Sequence, residues 1–144
     1  MALKQHTATV RKVEGLRLEA EARGFRVSID EPLEVGGTNL AMNPVELMLC
    51  SLGACQALTV CMYGAFYGIA IDDIKVEIEG DRDDGTDPSA RPGFQEIRCH
   101  YHIKSGAPEA RIRQLLGVVE KRCPVGDSLE KGVKLGEPVL SLME

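Results

Sequence analysis

An almost uninterrupted apolar stretch occupies the middle of the sequence, from Pro44 to Tyr67. Asn43 can cap a helix there with its side-chain oxygen, and Pro44 suits the first helical position. Glu46 lies near the positive end of the helix dipole, and Gly68 marks the end of the helix. Because apolar residues occupy nearly every side, we expect this helix to be buried all round. One small antiparallel sheet could cover only part of it, so a second subunit is predicted to cover the rest.

Short runs of alternating apolar residues before this helix predict an antiparallel sheet. Residues 7–13 and 16–22 flank a Glu-Gly turn and are typical of a hairpin, and residues 25–29 supply a third strand. A loop over residues 30–42 then carries the chain from the sheet to the helix.

Two more strands are predicted after the long helix. Residues 74–78 alternate in polarity as a half-buried strand does, and a polar loop over residues 80–93 follows. The next strand divides its side chains between two faces: Ile97, Cys99, Tyr101 and Ile103 on one, and Arg98, His100 and His102 on the other.

The last third of the chain predicts two helices and a returning strand. A helix begins at Pro108 and ends near Arg122, and a shorter helical piece covers residues 124–131. Residues 134–142 are expected to form the final strand. The order β-β-β-α-β-β-α-α-β is that of an α+β fold, in one domain over residues 1–144.

Charge and hydropathy exclude several classes of protein. The formal net charge is −5 at pH 7, and the cations are scattered among acids, so no nucleic-acid partner is expected. Polar residues and glycines interrupt the apolar run from Leu47 to Ala70, which argues against a membrane span. The N-terminus lacks the apolar core of a signal peptide. We therefore expect a cytoplasmic protein whose five cysteines are reduced.

Two of the cysteines lie in unlike settings. Cys55 belongs to the apolar helix and follows Gly53 and Ala54, which are small enough to let a substrate or another backbone approach. Cys123 follows two cations and precedes Pro124, where the start of the short helix would favour a thiolate. A protected nucleophilic thiol and a mobile second thiol are the minimum equipment for reducing a peroxide through an intramolecular disulfide. The alternative is that both cysteines are small buried hydrophobic residues.

The other cysteines and the histidines lack the spacing of a metal site. The sequence has no Cys-x-x-Cys and no His-x3-His pair, so we expect neither a metal nor another cofactor. His100 and His102 are predicted to lie on a solvated strand face. On the helix, Cys50 is rotated from Cys55 by about 140° and points elsewhere. A structural role is expected for Cys50, Cys61 and Cys99.

Three motifs follow one another at a specific spacing. Asn43-Pro44 is followed by Gly53-Ala54-Cys55, with the cysteine eleven positions after the proline, and Cys123-Pro124-Val125 comes near the end of the next long helix. With the loop over residues 30–38 and the closing strand, these motifs resemble the OsmC/Ohr family of osmotically inducible and organic hydroperoxide resistance proteins. The resemblance covers nearly the whole chain. It implies antiparallel sheets wrapped around central helices in an intertwined homodimer, with two active sites at the subunit interface.

The resemblance also implies an activity and a role for each of the two cysteines. Proteins of this family reduce organic hydroperoxides with thiols, without flavin, haem or metal, in defence against oxidative stress. Cys55 would attack the peroxide, and Cys123 would resolve the resulting sulfenic acid into a disulfide. A dithiol of the lipoyl or thioredoxin type would then restore both thiols.

The chain departs from the family pattern at Val45. Hydroperoxide reductases of this family carry a Glu there, which pairs with an Arg from the N-terminal sheet to hold the attacking thiolate. Here the carboxylate is Glu46, about 100° further round the helix. The alternative to a catalytic role for Glu46 is a favourable interaction with the positive end of the helix dipole. Arg17 is the candidate arginine because it lies in the second strand of the N-terminal hairpin, where the arginine of this family tends to fall, and Arg23 and Arg26 are nearby substitutes. A guanidinium at that place would lower the pKa of the thiol. The alternative for each arginine is a surface charge on a strand.

The sequence leaves two other functions open. The missing Glu after Pro44 is compatible with a redox sensor or small-molecule binding protein that keeps the fold but turns over inefficiently. A structural oligomer with buried, unreactive cysteines is the other reading.

Overall fold

The computed structural model describes all 144 residues, whose contacts group into two units, residues 1–50 and 51–144. One long helix, α1 (Pro44–Phe66), runs through the boundary between them. The chain contains three α-helices and two antiparallel sheets, which confirms the predicted α+β class. The single domain over residues 1–144 stays a prediction.

The first unit begins with a three-stranded antiparallel sheet. Its strands β1 (Thr9–Glu14), β2 (Arg17–Ala22) and β3 (Phe25–Ile29) are arranged in sequence order, as the alternating runs predicted. A two-residue turn of Arg23 and Gly24 joins β2 to β3, with φ of 54° and 86°. Left-handed φ at both positions matches the right-handed twist of the flanking strands, so this turn favours the hairpin.

A buried carboxylate organises the loop that follows the sheet. Asp30 accepts hydrogen bonds from the Thr38 hydroxyl and from the backbone N–H groups of Glu31, Thr38 and Leu40. These bonds, the Thr38 hydroxyl first, lower the pKa of Asp30 to about 2. Gly37 is required nearby, because a Cβ there would lie 2.0 Å from the Glu31 carbonyl oxygen. The loop is therefore a folded element rather than a slack connection.

The predicted cap of α1 is confirmed and is reciprocal. The Glu46 N–H donates to the Asn43 side-chain oxygen over 2.9 Å, and the Asn43 N–H donates back to the Glu46 carboxylate over 2.9 Å. This arrangement is a capping box, which satisfies two N–H groups that the helix itself leaves without partners. At the other end the helix stops at Phe66, and Gly68 adopts a left-handed φ of 71°, within one residue of the predicted end.

The second unit packs α1 with a hairpin and two further helices. The strands β4 (Asp73–Asp81) and β5 (Glu96–Lys104) pair antiparallel over their full length. The helix α2 (Glu109–Arg122) is followed directly by the short α3 (Pro124–Lys131). The apolar core of this unit consists of Leu52, Val60, Ile69, Leu115, Val119 and Cys123.

The predicted final strand over residues 134–142 is wrong, because no strand forms after α3. A strand needs a partner for its backbone hydrogen bonds, and this segment pairs with no edge of either sheet. Its apolar side chains stay exposed, among them Leu135, Val139 and Leu140.

By length and composition, α1 is long and apolar enough to cross a membrane. The polar residues and glycines between Leu47 and Ala70 therefore do not make this run too short for a membrane span, contrary to the prediction from the sequence. The core helix of a soluble protein meets the same criterion, so this property alone does not place the chain in a membrane.

We predict opposite effects on stability for two helical glycines. A Cβ on Gly64 would lie 3.0 Å from the Ile69 carbonyl oxygen and 3.1 Å from the Ile71 side chain, whereas one on Gly117 would meet nothing within 4 Å. Gly64→Ala should therefore lower the free energy of unfolding by about 1–3 kcal/mol. Gly117→Ala should raise it by about 0.5–1 kcal/mol, because alanine favours the helix. Urea unfolding measures both, and an equal change in the two variants would contradict this packing.

Candidate redox site

The half-buried Cys55 lies on the side of α1 that packs against the core of the second unit. The buried Thr59 hydroxyl donates to the Cys55 carbonyl oxygen over 2.6 Å, one helical turn further on. Gly53 is buried, and a Cβ there would lie 3.2 Å from the Ile78 side chain. Gly53 and Ala54 were predicted to admit a substrate or another backbone. Gly53 lets α1 approach β4, and the exposed Ala54 is the small residue that remains open to a substrate.

The second candidate thiol, Cys123, lies at the junction of α2 and α3. It ends α2, where its N–H donates to the Val119 carbonyl oxygen over 2.9 Å, and it caps the start of α3. Its sulfur accepts a hydrogen bond from the Gly126 N–H at 3.4 Å. The side chain is only 2% exposed, so the thiol belongs to the core as well as to the helix terminus.

The protonation state of Cys123 differs from the sequence expectation. Burial raises the pKa of its thiol above the ordinary range, and a hydrogen bond with Cys55 raises it further. The Gly126 N–H lowers the pKa, as predicted for a helix N-terminus, but burial is the larger effect. Cys123 is therefore held as a neutral thiol, and the expectation of a favoured thiolate is wrong.

The structure brings Cys55 and Cys123 together as two free thiols. Cys55 packs against the core cluster that contains Cys123, its side chain raises the pKa of Cys123, and no disulfide links the two thiols. Cys50 and Cys61, on the same helix as Cys55, are both exposed and free. The site can therefore hold one accessible thiol and one buried thiol side by side, which is the arrangement required for an intramolecular disulfide.

Two polar side chains at this site had no predicted role. The pKa of Tyr101 is raised, first by burial and then by the acidic groups around it, which are Glu120 and the thiols of Cys99, Cys123 and Cys55. Tyr101 therefore stays a neutral phenol that can donate a hydrogen bond. Gln56 donates to the Cys99 sulfur over 3.2 Å, while its buried side-chain oxygen has no partner. The strand alternation placed Cys99 and Tyr101 on one face, and that was the only signal in the sequence.

The other predicted site residues belong to the first unit. The Arg17 guanidinium lies 3.8 Å from the Glu14 carboxylate, and Glu46 takes part in the cap of α1. Arg23 lies over an aromatic ring at 5.2 Å, and Arg26 pairs with two glutamates of β2 at 3.5 and 3.8 Å. Among the groups that shift the pKa of Cys123 there is no cation.

The motif spacing, the fold and the thiol pair together agree with one protein family. A family model described as OsmC-like protein matches residues 37–137. The chain belongs to the OsmC-like family. This confirms the resemblance carried by the Asn-Pro, Gly-Ala-Cys and Cys-Pro-Val motifs.

Two relatives of this OsmC-like chain are hydroperoxide reductases of mycoplasmas. A hydroperoxide reductase of Mycoplasma genitalium is 29% identical over 114 residues, which cover 78% of this chain and 77% of the relative. A hydroperoxide reductase of Mycoplasma pneumoniae is 26% identical over 128 residues, or 88% of each chain. The crystal structure of an OsmC-like protein from Mycoplasma pneumoniae matches with a TM-score of 0.78 at 26% identity, over 88% of each chain.

We predict that removing the Cys55 side chain lowers the pKa of Cys123, but that this pKa stays above that of an exposed cysteine. Cys55→Ala removes the hydrogen bond and charge that raise this pKa, but leaves the larger effect of burial. A pH titration followed by the ¹³Cβ NMR signal of Cys123 measures the change. Cys61→Ala, at an exposed position of α1, should leave the titration unchanged. A Cys123 pKa that stays constant or rises in Cys55→Ala would refute the thiol–thiol interaction.

Proposed function

We propose that this protein reduces organic hydroperoxides with Cys55 as the attacking thiol and Cys123 as the resolving thiol. The observation that carries the proposal is the pair of adjacent free thiols, one accessible and one buried. The two mycoplasma relatives named hydroperoxide reductase support the substrate class. Hydroperoxide reduction in oxidative-stress defence is the activity that best combines these two observations.

The proposed reaction has two steps within the protein. In the first, the Cys55 thiolate attacks the O–O bond, the S–O bond of a sulfenic acid forms, and the substrate leaves as an alcohol after taking up a proton. In the second, the Cys123 sulfur attacks the Cys55 sulfur, which forms the disulfide and releases water. An external dithiol of the lipoyl or thioredoxin type then reduces the disulfide and restores both thiols.

Arg17 and Glu46 remain the proposed supporting residues. A guanidinium beside the attacking sulfur would favour the thiolate and polarise the leaving oxygen. Of the three arginines considered, Arg17 has the least exposed side chain with a carboxylate partner, at 32% against 64% for Arg26. One carboxylate oxygen of Glu46 accepts the capping hydrogen bond from the Asn43 N–H, which leaves the other oxygen free to accept from an arginine.

A redox sensor without efficient turnover is the second candidate. Val45 stands where the reductases of this family carry a Glu, and the high pKa of Cys123 disfavours the thiolate that would close the disulfide quickly. Such a protein would be oxidised once and regenerated slowly. Peroxide consumption over many cycles with excess dithiothreitol separates the two candidates, because only a reductase sustains it.

We predict that one equivalent of cumene hydroperoxide joins Cys55 to Cys123 and leaves the other cysteines reduced. Cys55→Ser should abolish the reaction, since the attacking atom is lost. Cys123→Ser should allow one turnover and then stop at a sulfenic acid on Cys55, because nothing resolves it. Peptide mapping by mass spectrometry, with dimedone to trap the sulfenic acid, follows both outcomes.

The matched control for these variants is Cys61→Ser, an exposed cysteine on the same helix as Cys55. It should behave as the unmodified protein does. Peroxide consumption by Cys55→Ser at the unmodified rate, or a dominant disulfide between any other pair, would contradict the assignment.

We also propose that the working form is a homodimer with extensive contacts between subunits. A stripe of α1 at spacing i, i+4, i+8 remains uncovered in one chain: Leu58 is 63% exposed, Met62 69% and Phe66 78%. Apolar side chains of the segment after α3 are exposed as well. A second copy that covers these surfaces would complete the central helix that the sequence predicts to be buried all round.

We predict a dimer near twice 15.7 kDa by light scattering at micromolar concentration. Met62→Glu should shift it to monomer, because the substitution places a charge in the apolar stripe. Ala110→Glu introduces the same charge at an exposed position of α2 and should leave the mass unchanged. A well-folded monomer in the unsubstituted protein would refute the dimer and leave the thiol chemistry to be tested separately.

A further inference from the structure

The outer face of the β4–β5 hairpin carries a cluster of potential metal ligands. Glu77 on β4 is paired directly with His100 on β5, and His102 lies two residues further along the same face. The ligand atoms of these three residues all lie within 4.8 Å of one another. The two imidazole rings have centroids 4.1 Å apart, and His102 Nε2 lies 3.6 Å from Glu77 Oε1. All three side chains are exposed, so an ion and its water ligands have access.

We propose that Glu77, His100 and His102 form a binding site for a divalent transition metal, with Zn²⁺ as the best match. Two imidazole nitrogens and one carboxylate oxygen are a donor set that Zn²⁺ takes, with water in the fourth position. Imidazole ligands disfavour Ca²⁺ and Mg²⁺, which select oxygen. Ligand atoms around a tetrahedral Zn²⁺ at about 2.0–2.1 Å lie about 3.3 Å apart, so small side-chain rotations bring the three onto one ion.

One cation already competes for this carboxylate. Lys75, on the same face of β4, places its ammonium 3.0 Å from Glu77 Oε1. Its side chain is 66% exposed, so it can move into solvent when a metal arrives. This competition limits the affinity of the site for the metal. Removing the Lys75 ammonium should therefore strengthen metal binding.

The thiols of the redox site are separate from this cluster. Side chains alternate between the two faces of a strand, so His100 and His102 point away from the face that carries Cys99 and Tyr101. The metal ligands therefore leave Cys55 and Cys123 free. The proposal does not depend on the hydroperoxide reductase activity, and either can fail without the other.

The test is a Zn²⁺ titration of the reduced, unsubstituted protein, followed by ¹H–¹⁵N NMR of the imidazole side chains. This readout reports on histidines even if Zn²⁺ also binds thiols. We expect the His100 and His102 signals to shift together and saturate at one equivalent, while His6, the third histidine, stays unchanged. Binding of one Zn²⁺ through one histidine alone, or equal shifts at all three, would overturn the site.

Two variants test the ligand set and a third tests the competition. Glu77→Gln and His102→Ala should each weaken Zn²⁺ binding at the remaining imidazoles by at least about tenfold. Loss of a group that only hydrogen-bonds a metal ligand already costs about tenfold in affinity, and loss of a ligand itself should cost no less. Lys75→Met should strengthen binding severalfold by freeing the carboxylate. Glu79→Gln, the next outward carboxylate on β4, is the matched control and should have no effect. Unchanged affinity in Glu77→Gln would refute the three-ligand site.

Discussion

The packing of α1 against α2 is the interaction on which the rest of the second unit depends. Val60 and Val119 are fully buried in the core, with Leu115 at 2% exposure beside them. Burying each such side chain contributes roughly 1.5–3 kcal/mol, a large share of the stability of a small protein. The same packing brings the end of α2, and with it Cys123, against the turn of α1 that carries Cys55. The thiol pair is therefore a product of the core and does not depend on a separate loop.

Placing a resolving thiol in the core sets two effects on its pKa against each other. The start of α3 offers the Gly126 N–H, but at 3.4 Å to sulfur this bond is weak compared with the cost of ionising a buried group. The sequence around Cys123 shows the cations and the proline, which argue for a thiolate. It does not show how deeply the side chain will be buried. Only the tertiary structure decides which effect is larger, and here it keeps the proton on Cys123.

Elements that form through contacts between residues close in the sequence are predictable from it, and elements that need a distant partner are not. The cap of α1 involves residues three positions apart, so Asn43 and Glu46 were enough to predict it. The predicted strand over residues 134–142 fails because pairing depends on an edge elsewhere, which no local pattern reveals. Gly53 and Ala54 were expected to admit either a substrate or another backbone, and the sequence left this choice open because nothing in it shows that Ile78 lies 3.2 Å from the position of the missing Cβ of Gly53.

The period of two in β5 lets one strand contribute to two different kinds of chemistry. Tyr101 packs against the core cluster that contains Cys123, while the residues on either side of it, His100 and His102, face outward. The spacing of residues along the chain does not reveal the outward cluster, because its third member, Glu77, comes from the paired strand and not from a nearby position. A metal held by both histidines would restrain the backbone on each side of Tyr101. Tyr101 packs against the core cluster that includes Cys123, so the restraint would act on a residue of that core without touching either sulfur.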